Sequence, residues 1–434
     1  MPYAKRNDTM RPGARQQAAI EILSTLENQR RPAADAVKEW MLAHRFAGSK
    51  DRAEIGDLVF AALRWKQSSA WRMGTDTPRA WVWGALRWGF GRDADWIEQS
   101  TYDDPHAPPP PTEAERAALV GDTIEAAPAW VRGDYPEWLA GSFERAFAKL
   151  AAEEGAALAA PAPLDLRTNT LKTTREKLIA ALSDSPKLSE APSPTPYAPD
   201  GVRIPWTQGR TFPWAVEQSF LKGWFEVQDE GSQIAALLCG VKSGMQVADV
   251  CAGGGGKSLA LAAAMQNKGQ IFAHDVDGAR LAPLRARLER AGARNVQIRP
   301  PLRGKDALAD LRGRMDVVLV DAPCTGSGTW RRSPDSKWRL RPNALSKRLE
   351  EQRAALALAA PLVRPGGRLV YVTCSVLPEE NEDQVAAFVA NAEFEPAPLA
   401  KIAPAYERGH ALQMTPRLTG CDGFFVAVMV RGQS

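Results

Sequence analysis

The chain has 434 residues, 44% hydrophobic and 24% charged, with a formal net charge of +4. It is too long for one ordinary compact domain and too apolar for a disordered chain, so two or three folded domains are expected. No run approaches the roughly 20 apolar residues of a membrane span, and the polar start, residues 1–7, has no apolar leader core, so a cytoplasmic protein that keeps clear of membranes is expected.

Residues up to about 100 read as helical. Ala19, Ile20, Leu23 and Leu26 form one stripe at helical spacing. Ile55, Leu58, Val59, Ala62 and Leu63 form a second, with Asp51 positioned to help cap it. The stretch 80–88 is apolar on most sides, as in the central helix of a bundle, and Trp81 and Trp83 are expected to fill its core. Pro108, Pro109, Pro110 and Pro111 follow. Prolines lack amide donors and restrict their predecessors, so this run reads as a linker closing a first domain over 1–112.

A small mixed α/β domain is expected over 113–226. Residues 164–169 alternate in polarity like a strand. Thr173 and Glu176 have capping-box spacing and predict a helix through Leu182. Residues 193–199 form a proline-rich loop, and 224–227 look like another strand.

From 227 to 434 the pattern changes to alternating strands and helices. Short apolar runs at 247–250, 271–273, 296–298, 317–320 and 369–372 are separated by helical stretches at 259–264, 279–290 and 345–362, and 424–430 alternates like a closing strand. This predicts a largely parallel sheet covered by helices on both faces, a doubly wound α/β domain.

The first of these strands runs into Cys251, Ala252, Gly253, Gly254, Gly255, Gly256, Lys257 and Ser258. Glycines at a strand end let backbone amides approach a ligand at the following helix N-terminus. A nucleotide-triphosphate loop, GxxxxGK[ST], would need glycine where Cys251 stands. Asp275 follows the second strand about 20 residues later, where a carboxylate can accept hydrogen bonds from both ribose hydroxyls. These features point to an adenosine-type ligand, and Asp306 after the third strand is a candidate to border the adenine.

There are five cysteines, Cys239, Cys251, Cys324, Cys374 and Cys421, an odd number with no CxxC pair. Reduced thiols and no metal site are expected. Two of them follow neighbouring strands, Cys324 after Asp321-Ala322-Pro323 and Cys374 after Thr373. In a parallel sheet both lie at the ligand-binding edge. A thiolate added to carbon 6 of cytosine makes carbon 5 nucleophilic enough to take a sulfonium methyl group, which is covalent catalysis. An acid such as Asp321 can hydrogen-bond the polar edge of the base. Spacing does not say which cysteine attacks.

Several segments together resemble the Sun family of RNA cytosine-C5 methyltransferases. They are Val227-Gln228-Asp229-Glu230-Gly231-Ser232-Gln233, the glycine loop, Asp321-Ala322-Pro323-Cys324, Arg331-Arg332-Ser333-Pro334-Asp335-Ser336-Lys337-Trp338, Tyr371-Val372-Thr373-Cys374-Ser375-Val376-Leu377-Pro378-Glu379-Glu380-Asn381 and Asp422-Gly423-Phe424-Phe425. The resemblance implies a Rossmann-like class I methyltransferase domain that uses S-adenosyl-L-methionine. It implies Cys374 as the nucleophile and Cys324 as the thiol that assists product release. It makes Cys251, Ala252, Gly253, Gly254, Gly255, Gly256, Lys257, Asp275, Asp306 and Asp321 the cofactor contacts. More weakly, residues 1 to about 100 resemble the NusB-like helical RNA-binding domain of bacterial small-subunit ribosomal RNA methyltransferases. Leu166-Arg167-Thr168-Asn169-Thr170-Leu171-Lys172 resembles the start of a small RNA-recognition-like domain. Ribosomal RNA, or a precursor of the ribosomal subunit, is the implied partner of a monomeric enzyme.

The family usually has Ala-Pro where this chain has Gly253-Gly254. Glycine adds freedom that is lost on ordering, about 0.4–1 kcal/mol per such change. Arg331, Arg332, Lys337 and Trp338 follow the release cysteine, and cations there can hold phosphates while Trp338 stacks on a base or packs beneath the loop. The rival reading is a noncatalytic RNA-binding assembly factor with the same fold. Methylation of a nitrogen would need no thiol, and an Asn/Asp-Pro-Pro-aromatic segment would replace Asp321–Cys324.

Overall fold

The computed structural model describes residues 10–433 apart from residues 30 and 103, so the polar start at 1–7 lies outside the described residues. The chain divides into two compact units. One holds the chain up to Ala160 together with Trp330–Leu340, and the other holds Pro161–Thr329 and Arg341–Ser434.

The first unit is helical. Its helices include Pro12–Gln29, Ala33–Ala43, Ser49–Arg64, Lys66–Met73 and Pro78–Gly84. The two sequence stripes meet in one core, where Ala19, Leu23, Ile55, Val59 and Ala62 are fully buried. Trp81 and Trp83 join them, and each buried indole finds an acceptor as burial requires. Trp83 Nε1 donates to Gln16 Oε1 at 3.0 Å and Trp81 Nε1 to Asp76 Oδ1 at 2.7 Å. The helix expected over 80–88 is α-helical only to Gly84 and then widens to a π-turn over Ala85–Gly89.

Two expectations are corrected by this unit. Asp51 is no cap: Gly48 is the N-cap residue, and Asp51 lies inside the first turn, fully buried and 3.6 Å from Arg15 Nη1. The four prolines do not end the helical unit. Pro108 is buried, Arg79 donates to Pro110 O at 3.1 Å, and a capping box of Thr112 and Glu115 starts the helix Glu113–Val120, whose Leu119 enters the same core. Residues 113–160 pack with the helical unit.

The second unit contains two sheets. In the smaller, strands β1 (Leu164–Thr168), β2 (Ser193–Pro194), β3 (Gly201–Ile204) and β4 (Phe225–Val227) pair antiparallel in the order β2-β3-β1-β4. The helix Arg175–Ser183 covers it, capped by Thr174, which accepts from Lys177 N, rather than by Thr173.

The larger sheet contains β5 (Gln246–Asp249), β6 (Gln270–His274), β7 (Val296–Arg299), β8 (Met315–Asp321), β9 (Val363–Thr373), β10 (Phe394–Ala397), β11 (Tyr406–Arg408), β12 (Ala411–Met414) and β13 (Phe424–Arg431). Its order is β11-β12-β13-β9-β8-β5-β6-β7, with β10 paired to β13. Strands β7, β6, β5, β8 and β9 are parallel, and β13 closes antiparallel against β9. This is the doubly wound, Rossmann-like sheet expected from the sequence, with its central strands buried on both faces. The helical stretch expected at 279–290 is split: a 3-10 turn, Gly278–Leu281, ends before Pro283, which has no amide to donate, and an α-helix resumes over Leu284–Ala291.

The two sheets sit in one unit because buried polar groups tie them. Asn169 Nδ2 donates at 2.8 Å to both Gly223 O and Ala291 O. Glu226 on β4 is paired with Arg287 at 2.9 Å and with Arg290. Asp165 on β1 takes both ends of Arg203 at 2.7 Å and accepts from Glu230 N at 3.1 Å. Such charge-assisted bonds are strong, and breaking one partner strands a buried charge.

Candidate active site

Strands β5, β6, β8 and β9 run parallel, so their carboxyl ends open on one edge. That edge gathers the glycine loop, Asp275, Asp321, Cys324 and Cys374 in four loops.

The loop after β5 is the glycine loop. Gly253 and Gly255 have φ of +49° and +81°, in the region that favours glycine. A Cβ on Gly255 would stand 2.1 Å from Leu284 Cδ1, so glycine is also required by space. Gly255 caps the helix Gly256–Ala264. The loop is anchored by Ala252 N, which donates to His274 O at 2.8 Å, by Gly253 N, which donates to Asp275 Oδ2 at 3.0 Å, and by Gly254 O, which accepts from Arg287 Nη1 at 2.6 Å. Asp275, just past β6, is almost fully buried and pairs with Arg280 at 3.1 Å. His274 beside it bonds Arg299 O through Nδ1 at 2.7 Å, a structural contact.

Asp306 makes its side-chain hydrogen bonds outside this cluster. It is exposed, accepts from Leu308 N and pairs with Arg312 at 2.9 Å. Asp249, at the end of β5, was not singled out from the sequence. It is buried, Ser258 Oγ donates to its Oδ2 at 2.7 Å, and its Oδ1 has no hydrogen-bond partner. Burial pushes its carboxyl up to about 7.

The loops after β8 and β9 carry the two thiols. Asp321 pairs with Val372 across the parallel strands, so the loops are neighbours. Cys324 Sγ and Cys374 Sγ lie 3.3 Å apart. The hydrogen bond to Cys374, then burial, then the charges of Cys374 and Glu380 push the Cys324 thiol well above its ordinary range. Asp321 Oδ2 accepts from Lys257 Nζ at 2.7 Å, joining the glycine-loop helix to the β8 loop. Lys257 is buried. Burial opposes its charge, but Asp321 outweighs burial and holds the ammonium above its ordinary value.

A second set of side chains fixes these loops. Glu380 is fully buried and accepts from Thr325 N at 2.8 Å and Thr325 Oγ1 at 2.5 Å. Gln352 Nε2 donates at 3.0 Å to both Glu380 Oε1 and Pro323 O. Ser327 Oγ and Ser375 Oγ meet at 2.9 Å, and Gly328 N donates to Cys374 O at 3.0 Å. Burial raises the Glu380 carboxyl above the usual range. Glu380 falls within one of the family segments, but the sequence assigns it no role. Its neighbours in space are far away along the chain, so spacing carries no signal.

Of the four residues assigned to RNA, three are engaged inside the helical unit. Lys337 is 1% exposed, and its Nζ donates to Arg64 O at 2.8 Å and Asp134 O at 2.6 Å. Trp338 Nε1 donates to Leu63 O at 2.6 Å, so this indole packs. Arg331 is buried and its carbonyl accepts from Arg64 Nη1 at 2.6 Å. Arg332 is exposed. Among the described residues no cluster of His, Cys, Asp and Glu could hold a metal ion, and no helix is long and apolar enough to cross a membrane.

Comparison with known proteins bears on this arrangement. The family described as 16S rRNA methyltransferase RsmB/F matches residues 236–430, and the ferredoxin-like domain of RsmF/B-like methyltransferases matches residues 135–207. A probable ribosomal RNA small subunit methyltransferase B of Synechocystis is 33% identical over 299 residues, 68% of this chain and 66% of that protein. The ribosomal RNA small subunit methyltransferase B of Sodalis glossinidius is 36% identical over 62% of this chain and 59% of its own length. The chain thus spans 66% and 59% of the two relatives' lengths, less than two thirds of either. Among solved structures, PH0851 superposes with a TM-score of 0.70 at 25% identity, covering 96% of this chain and 98% of that one. A methyltransferase homolog protein from Pyrococcus horikoshii gives 0.58 at 28% identity, covering 70% and 97%.

Proposed function

The chain belongs to the RsmB/F methyltransferase family, the Sun family that its motifs resemble, and on that premise we propose that it methylates carbon 5 of a cytosine in RNA, with small-subunit ribosomal RNA as substrate. The observation that carries the reading is the thiol pair, Cys324 and Cys374, 3.3 Å apart at adjacent parallel strand ends and joined on that edge by the Lys257–Asp321 ion pair. Nitrogen methylation requires no such pair.

The residues present fit S-adenosyl-L-methionine. The unpartnered, buried Asp249 Oδ1 offers an acceptor to a cationic ligand, and the glycines at positive φ leave room for close backbone approach. In this reading Cys251, Ala252, Gly253, Gly254, Gly255, Gly256 and Lys257 line the ligand, Asp275 accepts from its ribose, and Asp306 and Asp321 border it. When bound, the cofactor supplies an electrophilic sulfonium methyl group.

The protein's own residues do the rest. The Cys374 thiolate adds to carbon 6 of the cytosine, and the displaced π electrons make carbon 5 nucleophilic. Lys257 holds Asp321 Oδ2, leaving Oδ1 to accept from the amino edge of the base. After methylation the carbon-5 proton is removed, the double bond re-forms and the Cys374 sulfur leaves. Cys324 assists this release. A base stacked in a helix cannot be reached at carbon 6, so the substrate cytosine is single-stranded or flipped.

Incubating the protein with methyl-labelled cofactor and small-subunit RNA, then mapping 5-methylcytosine, tests the reading. Label at carbon 5 of one cytosine is expected. Label on a nitrogen, or no label with either naked RNA or assembling subunits, favours the nitrogen or noncatalytic alternatives. Cys324→Ala should accumulate a covalent protein–RNA complex on unmodified RNA, and its absence removes the release role.

A further inference from the structure

The same two sulfurs have a chemistry that needs no RNA. We propose that Cys324 and Cys374 form an oxidisable dithiol site that reacts with hydroperoxides and closes to a reversible disulfide.

The geometry favours closure. The sulfurs stand 3.3 Å apart, against a disulfide bond of about 2.0 Å. They sit on loops that leave adjacent parallel strands in the register Asp321 to Val372. The loops are already tied by the Ser327–Ser375 contact, by Gly328 N on Cys374 O and by Val376 N on Ser327 Oγ at 2.9 Å. Closure therefore joins two loops that these bonds already hold together. Both thiols are partly accessible, whereas Cys239 and Cys421 are buried.

The steps balance. The Cys374 thiolate attacks one peroxide oxygen; an S–O bond forms, the O–O bond breaks, and an alcohol, or water from hydrogen peroxide, leaves after protonation. The resulting sulfenic acid is attacked by the Cys324 sulfur. The Cys324 proton and the hydroxyl leave as water, and an S–S bond forms. Both sulfurs are oxidised and the peroxide oxygens reduced. Two thiols of an added reductant reverse the reaction. If Cys374 is the nucleophile of the proposed reaction, the disulfide also silences the enzyme, a consequence that rests on that reading.

The test uses the full-length protein and hydrogen peroxide without RNA. Peptide mapping should find a Cys324–Cys374 link, two hydrogens lighter than the reduced pair, that dithiothreitol removes. Cys324→Ser should instead carry Cys374 on to sulfinic acid. Sulfinic acid on Cys374 in the wild type with Cys324 still free, or a link from either thiol to Cys251, overturns the proposal. Adduct formation with 5-fluorocytosine RNA is measured separately on the oxidised protein. Its survival beside a mapped disulfide contradicts Cys374 as nucleophile while leaving the dithiol site intact.

Discussion

Glu380 holds Thr325 with both carboxylate oxygens, accepting from its amide at 2.8 Å and its hydroxyl at 2.5 Å. Glu380 follows Cys374 in the chain and Thr325 follows Cys324, so one buried side chain binds the two thiol loops together.

Removing that grip should loosen the thiol pair. Glu380→Ala deletes three charge-assisted bonds, from Thr325 N, Thr325 Oγ1 and Gln352 Nε2, each worth about 1.5–3 kcal/mol, and should lower methyl transfer at least about tenfold, the scale of ~1.4 kcal/mol in a barrier. Cofactor affinity should stay within about twofold, a free-energy difference well under 1 kcal/mol. Glu380→Gln keeps an acceptor for Thr325 N and loses the charge that helps raise the Cys324 thiol. Its product-release limb should shift to lower pH. Single-turnover rates across pH, read beside cofactor titration, check this; an unshifted limb contradicts it.

Lys337 should matter for stability rather than for RNA charge. Lys337→Ala removes the ammonium donor from the buried Asp134 carbonyl and the part-buried Arg64 carbonyl, at about 1–3 kcal/mol for the buried one, so thermal unfolding should come at lower temperature. The salt dependence of RNA binding should not change. Arg332→Ala, at an exposed position, should reduce the slope of log affinity against log salt by about one. A slope that falls for Lys337 and not for Arg332 reverses the assignment.

Gly254→Pro tests the unusual glycine loop. A Cβ at Gly254 would lie 3.1 Å from Arg287 Nη1, which must yield by a few tenths of an ångström, and 3.7 Å from Pro283 Cγ. Removing the glycine's freedom should tighten S-adenosyl-L-methionine binding by about 0.4–1 kcal/mol, or roughly two- to fivefold. An unchanged or larger dissociation constant by calorimetry contradicts this.

Asp249 should make stability fall as pH rises. Its carboxyl is at about 7 in the fold against an ordinary 3.8. Between these values the native state binds more protons than the unfolded state, so the contribution is fully present below the lower value and lost as pH passes the upper one. Asp249→Asn does not titrate. Between about pH 4 and pH 7 its stability relative to wild type should therefore improve by a few kcal/mol, on the order of 1.4 kcal/mol for each pH step of one. Denaturant unfolding of the ligand-free proteins that traced parallel curves would remove the effect.

The sheet was legible because its strands are short apolar runs separated by helical periods, and parallel pairing then forces Cys324 and Cys374 to one edge. The chain from Trp330 to Leu340 was not. Its cations carry the pattern of a phosphate contact, yet the carbonyls of Arg64 and Asp134, which take up Lys337, lie 273 and 203 residues away in sequence. The same limit hid Glu380 and Gln352, whose roles depend on contacts across 55 and 28 residues. Local signals erred by small steps: Thr174 caps where Thr173 was expected, and the proline run binds the helical unit together rather than ending it.

The central claim is that Cys374 attacks carbon 6 of a cytosine. Fluorine at carbon 5 cannot leave as a proton would, so RNA carrying 5-fluorocytosine should trap the adduct once methyl transfer has occurred. With labelled cofactor, the wild-type protein should form a covalent protein–RNA band carrying label, and Cys374→Ala should form none. A labelled adduct that persists in Cys374→Ala and disappears in Cys324→Ala would contradict the account.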